Sequence, residues 1–127
     1  MKTLVLLLLG CWVVMGSTPA LAQEMVDSKQ EKAALKKAKR LRKRLIRGAD
    51  FASLAEKYSD DPGSAMMGGE LGFTGPEQLV PEYEAAAVKL NPGELSEPVR
   101  TQFGYHLIEL IEQKENQINT RHILIKP

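Results

Sequence analysis

The 127-residue chain carries 17 Lys and Arg against 16 Asp and Glu, for a formal net charge of +1. That length suits a single domain with one hydrophobic core, and so small a net charge gives no general electrostatic footprint for nucleic acid. The sole cysteine, Cys11, excludes an intramolecular disulfide and any multi-cysteine metal centre.

The chain opens with a basic start, Met1-Lys2, followed by an apolar run from Leu4 to Leu9 that Trp12, Val13, Val14 and Met15 extend. Ala20-Leu21-Ala22 supplies the small-x-small pattern that a signal peptidase cuts. Residues 1–22 therefore read as a secretory signal peptide, too short and interrupted for a membrane span. The domain would cover 23–127, cysteine-free and without a stable membrane span after cleavage, in an exported, periplasmic location. Leu8-Leu9-Gly10-Cys11 also fits a lipobox, the alternative in which Cys11 becomes a lipidated N-terminus.

Ser28-Lys29-Gln30-Glu31 is a capping-box signal that predicts a helix start at Ser28. Ala34, Ala38, Leu41 and Leu45 then mark one apolar stripe, and basic residues from Lys29 to Arg47 fill the rest of the circumference. Such a face usually reads as solvated; acidic or unfolded polypeptides and anionic lipid headgroups are what it could attract. Gly48 stops the helix, and Asp50 caps a second one ending near Tyr58, with Phe51, Leu54 and Ala55 inward. Asp60 to Met67 reads as a loop with Asp61-Pro62-Gly63-Ser64 as turn chemistry. Gly68 to Phe73 reads as a glycine-dense extended segment. Pro81 suits the first turn of a third helix that Asn91-Pro92-Gly93 terminates. Leu95 to Arg100 predicts a short strand, Tyr105 to Glu112 a central one and Ile118 to Lys126 a last one. The class is α+β, helices against a small four-stranded antiparallel sheet.

From Leu41 to Ile111 the sequence resembles the parvulin family of peptidyl-prolyl cis/trans isomerases. The phrases that carry the resemblance occur in one order. They are Gly48-Ala49-Asp50-Phe51, Ala55-Glu56-Lys57-Tyr58-Ser59-Asp60-Asp61, Gly68-Gly69-Glu70-Leu71-Gly72, Leu79-Val80-Pro81-Glu82-Tyr83-Glu84, Gly93-Glu94-Leu95-Ser96-Glu97-Pro98-Val99 and Thr101-Gln102-Phe103-Gly104-Tyr105-His106. The wording is most similar to the parvulin modules of SurA-type periplasmic chaperones. The resemblance implies a parvulin (FKBP-like) fold and a cofactor-free isomerase, without bound metal, that assists folding of exported proteins. It implies unfolded or extended proline-containing polypeptides as partners, outer-membrane protein clients among them. Its polar network maps to Asp61, His106, His122 and Thr101. Its proline-pocket wall maps to Leu71, Leu79, Tyr83 and Phe103, with Phe73 close by. A non-catalytic, chaperone-like peptide-binding module and a fragment of a tandem chaperone are the alternatives. Phosphopeptide specificity is not expected.

One departure sets a structural test. A parvulin domain opens with a strand reading roughly His-Ile-Leu-Ile, and here that phrase stands last, as Arg121-His122-Ile123-Leu124-Ile125. A circular permutation would place this strand, about 118–126, in the vacant centre of the sheet, where an empty slot would leave two strand edges unpaired. A stray strand, or one swapped into a partner chain, are the alternatives. The hairpin register decides whether the histidines meet. A plain two-residue loop at Glu115-Asn116 sets His122 opposite Glu109, on the wrong face. A three-residue loop with Asn116 left-handed, or a bulged equivalent, sets it opposite Ile108, diagonal to His106.

Overall fold

A computed structural model of the protein describes residues 19–127. Most of the signal-peptide reading, including Cys11 and its lipobox, lies outside the described residues. The first helix, α1, spans Pro19–Ile46. Ser28 is therefore an exposed residue inside the helix and not its cap: Ala20, Leu21, Ala22, Gln23, Glu24 and Met25 are good helix formers, with no breaker between Pro19, at the first helical position, and Ser28. Ala34, Ala38 and Leu41 are buried as the stripe predicts. The C-terminus closes with two backbone bonds, Gly48 N–H to Leu45 O at 3.0 Å and Ala49 N–H to Arg44 O at 3.0 Å, the Schellman pattern.

Helix α2 is Phe51–Tyr58, capped by the Asp50 carboxylate, which accepts from Ser53 N–H at 3.0 Å. The predicted loop at Asp60–Met67 instead contains a one-turn helix, α3, at Pro62–Ala65. Pro62 presets the first helical position, while the Asp61 side chain makes no cap bond. Strand β1 follows at Glu70–Thr74 and helix α4 at Pro81–Ala87. The expected strand at Leu95–Arg100 shrinks to β2, Val99–Thr101, preceded by a single bridge between Leu95 and Glu109. Pro98 explains the gap, since it has no N–H to give a ladder. Strands β3, Gly104–Lys114, and β4, Gln117–Ile125, form the long hairpin.

The sheet order is β1-β4-β3-β2. All three pairings are antiparallel, and β4 fills the central position within its own chain. The turn is the two-residue form, Lys114 opposite Gln117, and its left-handed residue is Glu115 (φ 55°), not Asn116. By itself that register would turn His122 away from His106. A bulge between Leu110 and Glu112 restores the phase, so that Ile108 faces His122 and His106 faces Leu124. The extra residue, Ile111, shifts every later pair by one position.

The two sheet faces bury different layers. On one, α1 and α2 cover Leu107, Ile123 and Ile125. On the other, Tyr83 and Ala87 of α4 cover Ile108, Leu110 and Ile118. β4 is thus buried on both faces and hydrogen-bonded on both edges. A chain ending at Asn116 is expected to lose its cooperative thermal transition by circular dichroism; unfolding as sharp and as late as that of the full chain would contradict the central position of β4.

Candidate active site

The groove lies on the α4 side of the sheet, has a volume of about 540 Å³, and is walled by Leu71, Leu79, Val80, Tyr83, Phe103 and Leu124. Asp60, Asp61, Pro62, Gln78, His106, His122 and Lys126 complete it. His106 and His122 form its floor, both almost fully buried. Their rings stack at 16° with centroids 5.2 Å apart, and Tyr83 stands edge-on to both at 5.3 and 5.6 Å. The Tyr83 hydroxyl shares a 2.9 Å hydrogen bond with Thr120, and burial pushes its pKa up.

The backbone that carries Asp61 is pinned along β4. Asp60 N–H donates to Leu124 O at 2.7 Å, Leu124 N–H to Ser59 Oγ at 3.1 Å, and Lys126 N–H to Asp60 Oδ2 at 2.8 Å. On the other side of α3, His122 N–H donates to Gly69 O at 2.9 Å. Gly69 has φ +88°, and a Cβ there would sit 2.5 Å from His122 O, so only glycine permits this approach. These contacts deliver Asp61 to the ring of His122.

A single chain of hydrogen bonds crosses the floor. His122 Nε2 lies 2.8 Å from Asp61 Oδ2, the Nδ1 atoms of His122 and His106 are 3.0 Å apart, and His106 Nε2 is 2.7 Å from Thr101 Oγ1. Phe103 N–H donates to Thr101 Oγ1 at 3.2 Å, and the Ser64 hydroxyl donates to Asp61 Oδ2 at 2.6 Å. Its ends fix its polarity, because a carboxylate only accepts and a backbone N–H only donates. His122 then carries its proton on Nε2, His106 donates from Nδ1 to His122, and the Thr101 hydroxyl donates to His106 Nε2. These tautomers follow from the hydrogen-bond network.

The same arrangement keeps both imidazoles neutral. Burial, reinforced by the neighbouring His122, pushes the pKa of His106 down from 6.5 to about 4. Burial also lowers that of His122, against the opposing hydrogen bond and charge of Asp61. Burial would raise the Asp61 carboxyl, but the hydrogen bonds from Ser64 and His122 outweigh it and hold the pKa below its ordinary 3.8. Among the described residues no group of three or more His, Cys, Asp or Glu is placed to hold a metal ion.

The structure brings together Asp61, His106, His122, Leu71, Leu79, Tyr83 and Phe103 around one groove. Thr101 does not line it but lies buried behind His106. Phe73, predicted beside the pocket wall, is a correction: it pairs with Asn119, faces away from the groove and is 43% exposed. Simple alternation would put Leu71 and Phe73 on one face. A register shift between Glu70 and Gly72 breaks it, with Gly72 at φ +74°. Ser64 and Thr120 were missed. Thr120 was legible as the same-face neighbour of His122 two residues away; Ser64 was hidden in what read as turn chemistry.

The PPIC-type PPIASE domain (rotamase) matches residues 16–112, and the chain belongs to that family of peptidyl-prolyl isomerase domains. Strand β4 lies beyond the matched residues. The chain is 52% identical over 81 residues to the Chaperone SurA of Chromohalobacter salexigens, covering 64% of this chain and 19% of that protein. It is 54% identical over 80 residues to Foldase protein PrsA 4 of Bacillus cereus, covering 63% and 29%. The chain thus spans less than a third of these relatives. A crystal structure of the peptidylprolyl isomerase PrsA from Bacillus cereus superposes with a TM-score of 0.62 at 52% identity, covering 65% of this chain and 32% of that one. A PpiC-type isomerase domain structure gives 0.66 at 28%, covering 70% and 82%.

The buried histidines give the fold a pH dependence. The folded pKa of His106 lies below its unfolded value, so the unfolded chain takes up the proton first. Stability present above pH 6.5 is therefore lost as the pH falls towards about 4. Asp61 loses its contribution only below 3.8, outside this window. Thermal denaturation is expected to show a flat melting temperature above pH 7 and a decline from about 6.5 downward, with a shallower decline in His106→Gln. An equal slope in both proteins would contradict the assignment.

Proposed function

We propose that the groove is a working prolyl isomerase site for exported, unfolded polypeptides. The observation that carries this reading is the unbroken chain Asp61–His122–His106–Thr101 beneath a largely apolar groove with room for a proline-containing segment. Rotation about an X-Pro bond crosses a barrier of ~18–20 kcal/mol, set by loss of amide resonance. No covalent bond to substrate is needed; the site has only to bind the twisted imide better than either planar form. The proline ring packs against Leu71, Leu79, Tyr83 and Phe103. Asp61, ionised and oriented by Ser64 and His122, places negative charge near the imide. A carboxylate beside the carbonyl oxygen disfavours the charge-separated resonance form that keeps the bond planar. The neutral histidines hold that carboxylate without neutralising it.

The sequence of residues 1–22 supports an exported location, and the name of the SurA relative supports a chaperone role; the clients we propose are unfolded polypeptides, outer-membrane proteins among them. An X-Pro peptide isomerisation assay tests the reading. Leu79→Ala is expected to lower kcat/KM about tenfold through lost apolar contact, and Asp61→Ala by about 10- to 100-fold. Leu79→Ala is expected to melt close to the parent, and Asp61→Ala somewhat lower, because it removes the carboxylate acceptor of the buried His122. Client binding with no rate effect in the parent would assign the groove to a binding module instead.

A further inference from the structure

The groove occupies one face of the sheet, and α1 covers the other through Leu107, Ile123 and Ile125. The face of α1 turned away from the sheet is uniformly cationic. Lys32, Lys36, Lys39, Arg40, Lys43 and Arg47 are all exposed and fall within one arc of the helical circumference at 3.6 residues per turn. The acidic residues of the helix lie on the core-side half, where Asp27 bonds Gln23 and Glu31 pairs with Arg100. Among the described residues none of the six cations has a carboxylate partner. The ridge runs straight for about 22 Å at 1.5 Å per residue. Seven residues before Lys32, on the same face, Met25 is 72% exposed.

We propose that the outer face of α1 seats the domain on an anionic phospholipid surface, with the proline groove turned away from it. The occupant follows from charge complementarity and shape. A straight row of unpaired cations fits a planar array of phosphate headgroups, and an exposed apolar side chain in line with the row can enter the acyl boundary. An acidic client held in the groove lies on the other side of the sheet and does not reach this ridge. The helix lies on the surface and does not cross it: no helix among the described residues is long and apolar enough to span a membrane. Binding through this face does not depend on whether the groove catalyses.

Co-sedimentation of the full chain with two vesicle types tests it, one of phosphatidylcholine alone and one of phosphatidylcholine mixed with phosphatidylglycerol. The difference between them removes any charge-independent contribution from the apolar segment at Leu4–Met15. The parent is expected to prefer the anionic vesicles, and the preference to collapse at high salt. A variant carrying Lys32→Gln, Lys36→Gln, Lys43→Gln and Arg47→Gln should lose it by about 1,000-fold while keeping its melting temperature and isomerase rate. Equal binding of the parent to both vesicles, or an undiminished preference in the variant, would overturn the proposal. So would displacement from the vesicles by stoichiometric polyglutamate, which would assign the ridge to acidic protein.

Discussion

Strand β4 is the piece on which the other elements depend. Its two edges supply the ladders to β1 and β3, and its two faces supply apolar side chains to both layers. Ile123 and Ile125 complete the α1–α2 core, while Ile118, Thr120, His122 and Leu124 face α4 and the groove. A strand with so many obligations tolerates one register only, because a slip by one residue exchanges its faces. The bulge at Ile111 reconciles that demand with a two-residue turn, and it is the reason the two histidines, both near the open end of the hairpin on facing strands, share one face.

The polar floor follows from that placement. A buried imidazole is costly when charged and cheap when neutral with both nitrogens satisfied. Here each nitrogen has a partner, and the ends of the chain leave only one consistent arrangement of protons. Asp61 remains ionised because two donors compensate its burial. The groove therefore presents the Asp61 carboxylate beside an apolar wall, with Asp60 and Lys126 as the other charged groups in its lining. Such a fixed field suits a reaction whose only change is the twisting of an amide.

Much of this was legible in the sequence. The stripe of Ala34, Ala38, Leu41 and Leu45, the Asp50 cap, Pro81 at a helix start and the strand at Ile118 all depend on local patterning, and each of these elements formed, although α1 starts at Pro19 and not Ser28, and α4 ends at Ala87, short of Asn91-Pro92-Gly93. The central position of the last strand followed from counting unpaired edges. What escaped was decided by competition between side chains and backbone. Asp61 was placed in the polar network by the resemblance, but Ser64, which also binds its carboxylate, read only as turn chemistry, and the turn tightened into α3 around Pro62. Leu71 and Phe73 looked like one face until the irregularity at Gly72 separated them. Bulges leave only a faint mark on composition, so the left-handed residue fell at Glu115 and the compensation five residues earlier at Leu110–Glu112.

The most direct test of the account is nitrogen NMR of the two imidazoles in the full chain at neutral pH. A through-hydrogen-bond coupling between Nδ1 of His106 and Nδ1 of His122 is expected, with the proton on His106. His122 should be protonated on Nε2, and neither ring should take up a second proton near pH 6.5. Two uncoupled rings titrating independently at ordinary histidine values would contradict it, for then β4 would not be carrying His122 to its partner.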